Sequence, residues 1–264
     1  MSRQLDTLRA FSEGRPRARR QTQHAIIVAG GKGGTGVTTV SALLALGAAR
    51  SDHDVLLVDA APSGSSTADL FAATANGERT TDHDDLLRPI GPRLTLADRP
   101  AGDALTTTER RTALRRAASH YDNHDIVIVD AGATAESIAA AIGAGAGTLV
   151  AVTSADRLSA AATYALVKFV AERYPGLAVS VLVNRCDPAD ARIVFDRIAA
   201  GVTEFLGRIV TPAGSIPEDE TLRAAIEAGL TPAFTDGPAL ESGRLLAERL
   251  IRRPAGPSPQ LHLI

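Results

Sequence analysis

Lysine is nearly missing from this chain: of its 28 basic residues only Lys32 and Lys168 are lysines, and the other 26 are arginines. Cysteine is reduced to Cys186, which excludes an internal disulfide framework, a cysteine-based zinc site and an iron–sulfur cluster built within one chain. Tryptophan is absent, and six phenylalanines and three tyrosines are too few for the base-stacking platforms of single-strand binders. No stretch approaches the roughly 20 apolar residues that span a bilayer, and the N-terminus, MSRQLDTLRAFSEG, has no apolar signal core, so a cytoplasmic protein is expected. A net charge of -2 with scattered arginines gives no clustered cationic field, which speaks against nucleic acid as a partner. What remains, 264 residues at 45% hydrophobic and 22% charged, describes one fairly large globular domain with a substantial core.

Residues 1–23 stand apart. A short helical pattern around Leu5, Leu8 and Phe11 runs into GRPRARRQTQ, a basic stretch without apolar periodicity that reads as a peptide and linker. From His24 the texture changes to apolar runs of strand length at 25–30, 55–60, 93–98, 125–132, 147–154, 178–185 and, weakly, 207–216. Helical segments are expected between and after them at about 37–50, 107–119, 134–143, 157–173, 189–205, 219–228 and 238–252. Continuous apolar strands separated by helices are the sequence form of a parallel sheet buried on both faces, so the fold class is α/β, three-layered, doubly wound and mostly parallel. The domain is placed at 24–253, and PAGPSPQLHLI at 254–264 is read as a loose tail. Ligands of such sheets sit at the carboxyl ends of the strands, which directs attention to the loops after Ala29, Val58, Val129, Thr153 and Val183.

The first strand runs into Gly30-Gly31-Lys32-Gly33-Gly34-Thr35-Gly36-Val37-Thr38-Thr39 and then a helix. This is G-x-x-x-x-G-V-T where the nucleotide phosphate loop has G-x-x-x-x-G-K-S/T, in the required strand–loop–helix setting. The glycines let backbone N–H groups turn toward one anion, and the helix N-terminus adds partial positive charge, so Gly33, Gly34, Thr35, Gly36, Val37, Thr38 and Thr39 are candidate phosphate contacts. Thr38 supplies a hydroxyl for Mg²⁺, whereas Val37 stands where the loop lysine belongs and can donate nothing. A glycine-rich turn that binds nothing is the competing reading.

Lys32 occupies the second lysine position of the deviant form K-G-G-x-G-K-S/T-S/T, and on this the chain resembles the MinD/ParA/FlhG group of P-loop ATPases. The resemblance implies a P-loop NTPase fold of the MinD type, ATP or ADP with Mg²⁺ as ligands, and a homodimer in which Lys32 reaches the partner's phosphates. Asp59, in Val58-Asp59-Ala60-Ala61-Pro62-Ser63-Gly64, matches the first carboxylate of the family's D-x-D-P-x-G, which approaches the magnesium waters; Ala61 replaces the second, which orients the attacking water. Asp130, ending the apolar run Ile126–Val129, matches the Walker B aspartate near the metal, with a helix-capping role as the alternative. Asn184-Arg185 resembles the adenine-recognising pair, and Ile216-Pro217-Glu218-Asp219 the loop that closes over the base. Without the loop lysine and the water-orienting carboxylate, hydrolysis is expected to be weak or lost, because phosphoryl transfer is catalysed by positioning and charge stabilisation.

Within the group the chain is most similar to the FlhG (FleN) branch, regulators of flagellar number and placement. Gln4, Leu8 and Arg9 match that branch's N-terminal D-Q-A-x-x-L-R peptide, which implies binding of an FlhF-like GTPase, or else a helix packed on the body; a flagellar switch or basal-body protein is a further implied partner. Ala162–Lys168 and Ile193–Phe195 also resemble the branch. Other open readings are a nucleotide-free scaffold, a TadZ/CpaE-like pilus-localising protein and a ParA-like partition ATPase. The segment 238–252, with Leu245, Leu246, Leu250 and Ile251 among arginines, is expected to pack on the domain, a membrane-surface helix being the alternative. His120 and His124 are not expected to bind metal, since helix gives way to strand there, and Cys186 is expected to be a packed thiol.

Overall fold

The computed structural model describes residues 25–61, 67–71, 87–98, 106–228 and 236–252. The N-terminal peptide with Gln4, Leu8 and Arg9, the basic linker, Pro62 to Gly64 of the second motif, and the tail 254–264 lie outside the described residues.

Eight strands form one sheet among the described residues: β1 (Ala25–Gly30), β2 (Val55–Asp59), β3 (Leu87–Gly91), β4 (Leu94–Ala97), β5 (Ile126–Asp130), β6 (Thr148–Thr153), β7 (Ala178–Asn184) and β8 (Thr211–Ile216). Their order is β3-β4-β2-β5-β1-β6-β7-β8, and every neighbouring pair is parallel except β3 with β4. The sequence-based expectation of a mostly parallel, doubly wound α/β sheet therefore holds. β1 lies centrally between β5 and β6, so the chain crosses from one half of the sheet to the other beside its carboxyl end, where open α/β sheets place their ligands.

The helices are α1 (Val37–Arg50), α2 (Thr67–Leu70), α3 (Thr107–Ala118), α4 (Ala135–Gly143), α5 (Arg157–Arg173), α6 (Pro188–Leu206), α7 (Glu220–Glu227) and α8 (Pro238–Ile251). Alternate residues of the buried strands point to opposite faces and nucleate two apolar clusters. Ile27, Ala29, Val127, Val129, Leu149 and Val181 join α3, α4, α5 and α6 on one face. Ile26, Val28, Leu57, Ile128, Val152 and Leu182 join α1 and α8 on the other. Several boundaries follow a local signal: Thr106 and Glu109 form a capping box on α3, Asp156 caps α5, Pro188 opens α6, and Gly207, with φ 59°, closes it.

Two expectations are refined. β3 was not anticipated, because Leu87-Arg88-Pro89-Ile90-Gly91 is half-exposed and contains proline, which suits only a sheet edge. The weak last strand is confined to Thr211–Ile216.

The segment 238–252 packs on the body, as expected. Leu246 and Leu250 are buried, Arg249 Nη1 donates to Ala213 O at 3.2 Å, and Leu245 stays half-exposed. The α1–α8 contact depends on two glycines. A Cβ on Gly47 would lie 2.5 Å from Arg244 Cα, and one on Gly243 would lie 2.7 Å from Leu43 O. Two backbones have to separate to admit either methyl, and that overpacking outweighs the gain in helix propensity from replacing glycine. Gly47→Ala is therefore expected to destabilise by about 1–3 kcal/mol. Gly201→Ala in α6, whose Cβ would meet the Tyr164 ring at an ordinary 3.8 Å, is expected to be neutral or to stabilise by up to about 1 kcal/mol. Thermal melts of the two variants check the contrast.

Candidate functional site

The turn from β1 to α1 is built on conformations that need glycine. Gly34 and Gly36 have φ of 82° and 84°, and Gly36 is the N-cap of α1 without any capping side chain. A Cβ on Gly31 would fall 2.1 Å from Ala162 O, so the loop rests directly on the backbone of α5. The first-turn N–H groups of Val37, Thr38 and Thr39 have no partner within the helix, which leaves them for an anion. Val37 is buried among the α1-side core residues, so its side chain serves packing and leaves the loop mouth to the backbone. Gly33 and Gly34 are exposed, and Lys32 and Thr38 are half-buried at the same turn.

Asp59 and Asp130 end adjacent strands and are register partners. Asp59 accepts from Ala61 N at 3.2 Å and Thr67 N at 3.0 Å. Asp130 is fully buried and accepts from Gly132 N at 3.0 Å, Thr67 Oγ1 at 3.4 Å and the Thr38 hydroxyl. Burial first, and the facing Asp59 carboxylate second, push Asp130 from its ordinary 3.8 up to about 6, against the pull of these hydrogen bonds. It caps no helix: α4 is capped by Thr134, whose side chain accepts from Ser137 N. Two neighbouring carboxylates and a hydroxyl are hard oxygen donors that fit Mg²⁺, which characteristically takes one or two carboxylates and completes its shell with phosphate and water. No group of three His, Cys, Asp or Glu converges on a metal position among the described residues.

At the end of β7, Asn184 Nδ2 donates to Thr35 O at 3.0 Å and Arg185 Nη2 to Gly34 O at 2.8 Å. The two residues follow one another and grip successive carbonyls of the loop. Beside them opens a cavity of about 320 Å³ lined by Gly36, Thr39, Asn184, Arg185, Pro217 and Leu222. Thus the glycine loop, the carboxyl end of β7 and the Ile216–Asp219 segment, separated in sequence, meet at one end of the sheet.

Two participants had not been singled out from sequence. Thr67, which opens α2, ties Asp59 to Asp130. Asp156 is held well below the usual carboxylate range, chiefly by Ser159 and Ser154, with a smaller contribution from the Lys32 ammonium, so it places a negative charge near that lysine. A D-x-x-S capping pattern at 156–159 was visible in the sequence, but its nearness to Lys32 was not. His120 and His124 are separated by a 3-10 turn, and His124 Nδ1 bonds His120 O at 2.9 Å. The Cys186 thiol is buried and pushed up by burial and by Asp190 and Asp187, the reverse of an activated nucleophile.

The CobQ/CobB/MinD/ParA nucleotide-binding domain matches residues 26–233. The chain belongs to this family. Antiactivator FleN of Pseudomonas aeruginosa is 26% identical over 256 residues, covering 90% of each chain. Septum site-determining protein MinD of Pyrococcus horikoshii, solved with Mg-ADP, superposes with a TM-score of 0.64 at 19% identity, covering 86% of this chain and 95% of that one. A chain of the MinC:MinD cell division protein complex of Aquifex aeolicus gives 0.66 at 21% identity, with 86% of this chain and 95% of that one covered. These structures share the fold of this MinD/ParA-family chain.

Because folded Asp130 binds its proton more tightly than the unfolded chain does, its contribution to stability is present at acid pH and is lost as pH rises from about 4 through about 6. Asp130→Asn is therefore expected to be more stable than the wild type at pH 7.5 in chelator-treated buffer, by on the order of 2–3 kcal/mol, with the gap closing toward pH 4. Denaturant unfolding at both pH values checks it.

Proposed function

We propose that this chain is an FlhG (FleN)-like, adenine-nucleotide-binding switch that acts in flagellar or polar-organelle number and placement, with ATP hydrolysis weak or lost. The observation that carries the reading is the convergence of the glycine loop with Lys32, the Asp59–Asp130 pair with Thr38, and the cavity at Gly36, Asn184 and Pro217 on one end of the sheet. The FleN relative, similar over nearly the whole of both chains, supports the flagellar branch.

In this reading the amides of Gly33 to Thr39 bind the phosphates, and Lys32 provides the one lysine charge at the loop. Thr38, Asp59 and Asp130 hold Mg²⁺, which supplies positive charge beside the phosphates when bound. Val37 and Ala61 remove the loop lysine and the water-orienting carboxylate, so the site keeps binding and loses the positioning that hydrolysis needs. A homodimer places Lys32 against the partner's phosphates, and the N-terminal Gln4, Leu8 and Arg9 engage an FlhF-like GTPase or another flagellar protein. No helix of the described residues is long and apolar enough to cross a membrane.

A nucleotide-free scaffold is the second reading, favoured by the burial of both Val37 and Ala61, which makes these two positions parts of the core. Calorimetric titration with ATP and Mg²⁺, a phosphate-release assay and light-scattering mass measurement separate the two. The expected outcome is saturable ATP binding with phosphate release close to the blank, and loss of the ATP-dependent dimer in Lys32→Ala. Absence of binding at millimolar ATP would leave the scaffold, and brisk turnover would remove the claim of impaired hydrolysis.

A further inference from the structure

We infer that Asn184 and Arg185 are the brace that aims the amides of the phosphate loop, so that Asn184 is a positioning residue for phosphate before it is a reader of the base. This rests on the nucleotide-binding reading for its ligand, although the brace itself is a property of the free protein.

A trans peptide unit is planar, with its C=O and the following N–H pointing in opposite directions. Asn184 Nδ2 holds the Thr35 carbonyl at 3.0 Å and Arg185 Nη2 holds the Gly34 carbonyl at 2.8 Å. Two successive peptide planes are thereby turned with their oxygens toward the end of β7, and the N–H groups of Gly36 and Thr35 must face away from it. Those two N–H groups join the first-turn amides of α1 as donors for an anion.

The surroundings are shaped for this grip. A Cβ on Gly36 would lie 2.4 Å from Asn184 Nδ2, so only glycine lets the amide approach, and φ of 84° demands glycine a second time. Arg185 has φ of 54°, a conformation rarely taken by a side-chain-bearing residue and kept where the surroundings over-determine it. Asn184 is buried, lines the cavity, and spends one of its two Nδ2 hydrogens on the loop. The amide's recognition of a base is confined to the other hydrogen and Oδ1. Val37, turned into the core, contributes no charge to the phosphates, so the direction of the amides weighs more here than in a loop with its lysine.

The test uses the full chain and two probes: Mg²⁺-ATP and Mg²⁺-tripolyphosphate, which has no base. Asn184→Ala is expected to weaken binding of both by about tenfold, the effect of leaving the buried Thr35 carbonyl unpaired and the loop unaimed. In ¹⁵N spectra of the ligand-free protein, the Thr35 and Gly36 amides are expected to shift and exchange faster while the Gly132 amide stays unchanged, and the melting temperature falls modestly because a buried carbonyl loses its partner. Weakened ATP binding with unchanged tripolyphosphate binding would overturn the inference in favour of base reading, as would unaltered Thr35 and Gly36 amides. If the wild type binds neither probe, the nucleotide reading fails, and the amide spectra still decide whether the brace exists. Arg185→Ala, at an exposed side chain, tests the Gly34–Thr35 peptide alone should Asn184→Ala fail to fold.

Discussion

An anion-binding turn made of backbone needs several N–H groups pointing one way, and a peptide chain adopts that arrangement only where side chains are absent and the carbonyls have other partners. In this chain the turn between β1 and α1 meets both conditions. Glycines at 30, 31, 34 and 36 admit close neighbours or left-handed dihedrals, and Asn184 and Arg185 take up the carbonyls of Thr35 and Gly34. The remainder of the fold keeps these partners in place. β1 is fixed between β5 and β6, β7 follows β6, and α8 holds α1 through a glycine-to-glycine contact that leaves no slack. A shift of α1 along its axis would move the loop and the helix amides together, so packing far from the turn sets its geometry.

Like charges meet beside the turn. Asp59 and Asp130 stand side by side at the ends of β2 and β5, and Asp130 is driven toward its protonated form. Lys32 is near Asp156, and Val37 brings no charge. The site sets two neighbouring carboxylates on one side and a set of neutral backbone donors on its phosphate side. A divalent cation suits the carboxylates and its phosphates suit the donors, which is a physical reason for ligand and metal to bind together.

The sheet was legible because its strands are buried on both faces and so read as unbroken apolar runs, and the helices because their ends carry capping residues. Glycine periodicity and the position of Lys32 exposed the loop, and the carboxylates at the ends of apolar runs exposed Asp59 and Asp130. β3 escaped notice because an edge strand with Arg88 and Pro89 lacks that pattern. Thr67 and Asp156 escaped because their importance lies in what they touch. The direction of the Asn184 amide escaped for the same reason: a motif names a residue but not which of its hydrogen bonds is already spent.

By itself the sequence determined the α/β architecture, the family and the chemical inventory of the site, including the missing lysine at Val37, because hydrophobic periodicity and backbone permissiveness are local properties. Only the tertiary structure decided how that inventory is used. It turned Val37 into the core, set Asp59 against Asp130 and joined the end of β7 to the loop, because pairing between strands and the closeness of glycine-lined backbones depend on contacts between residues far apart in the chain.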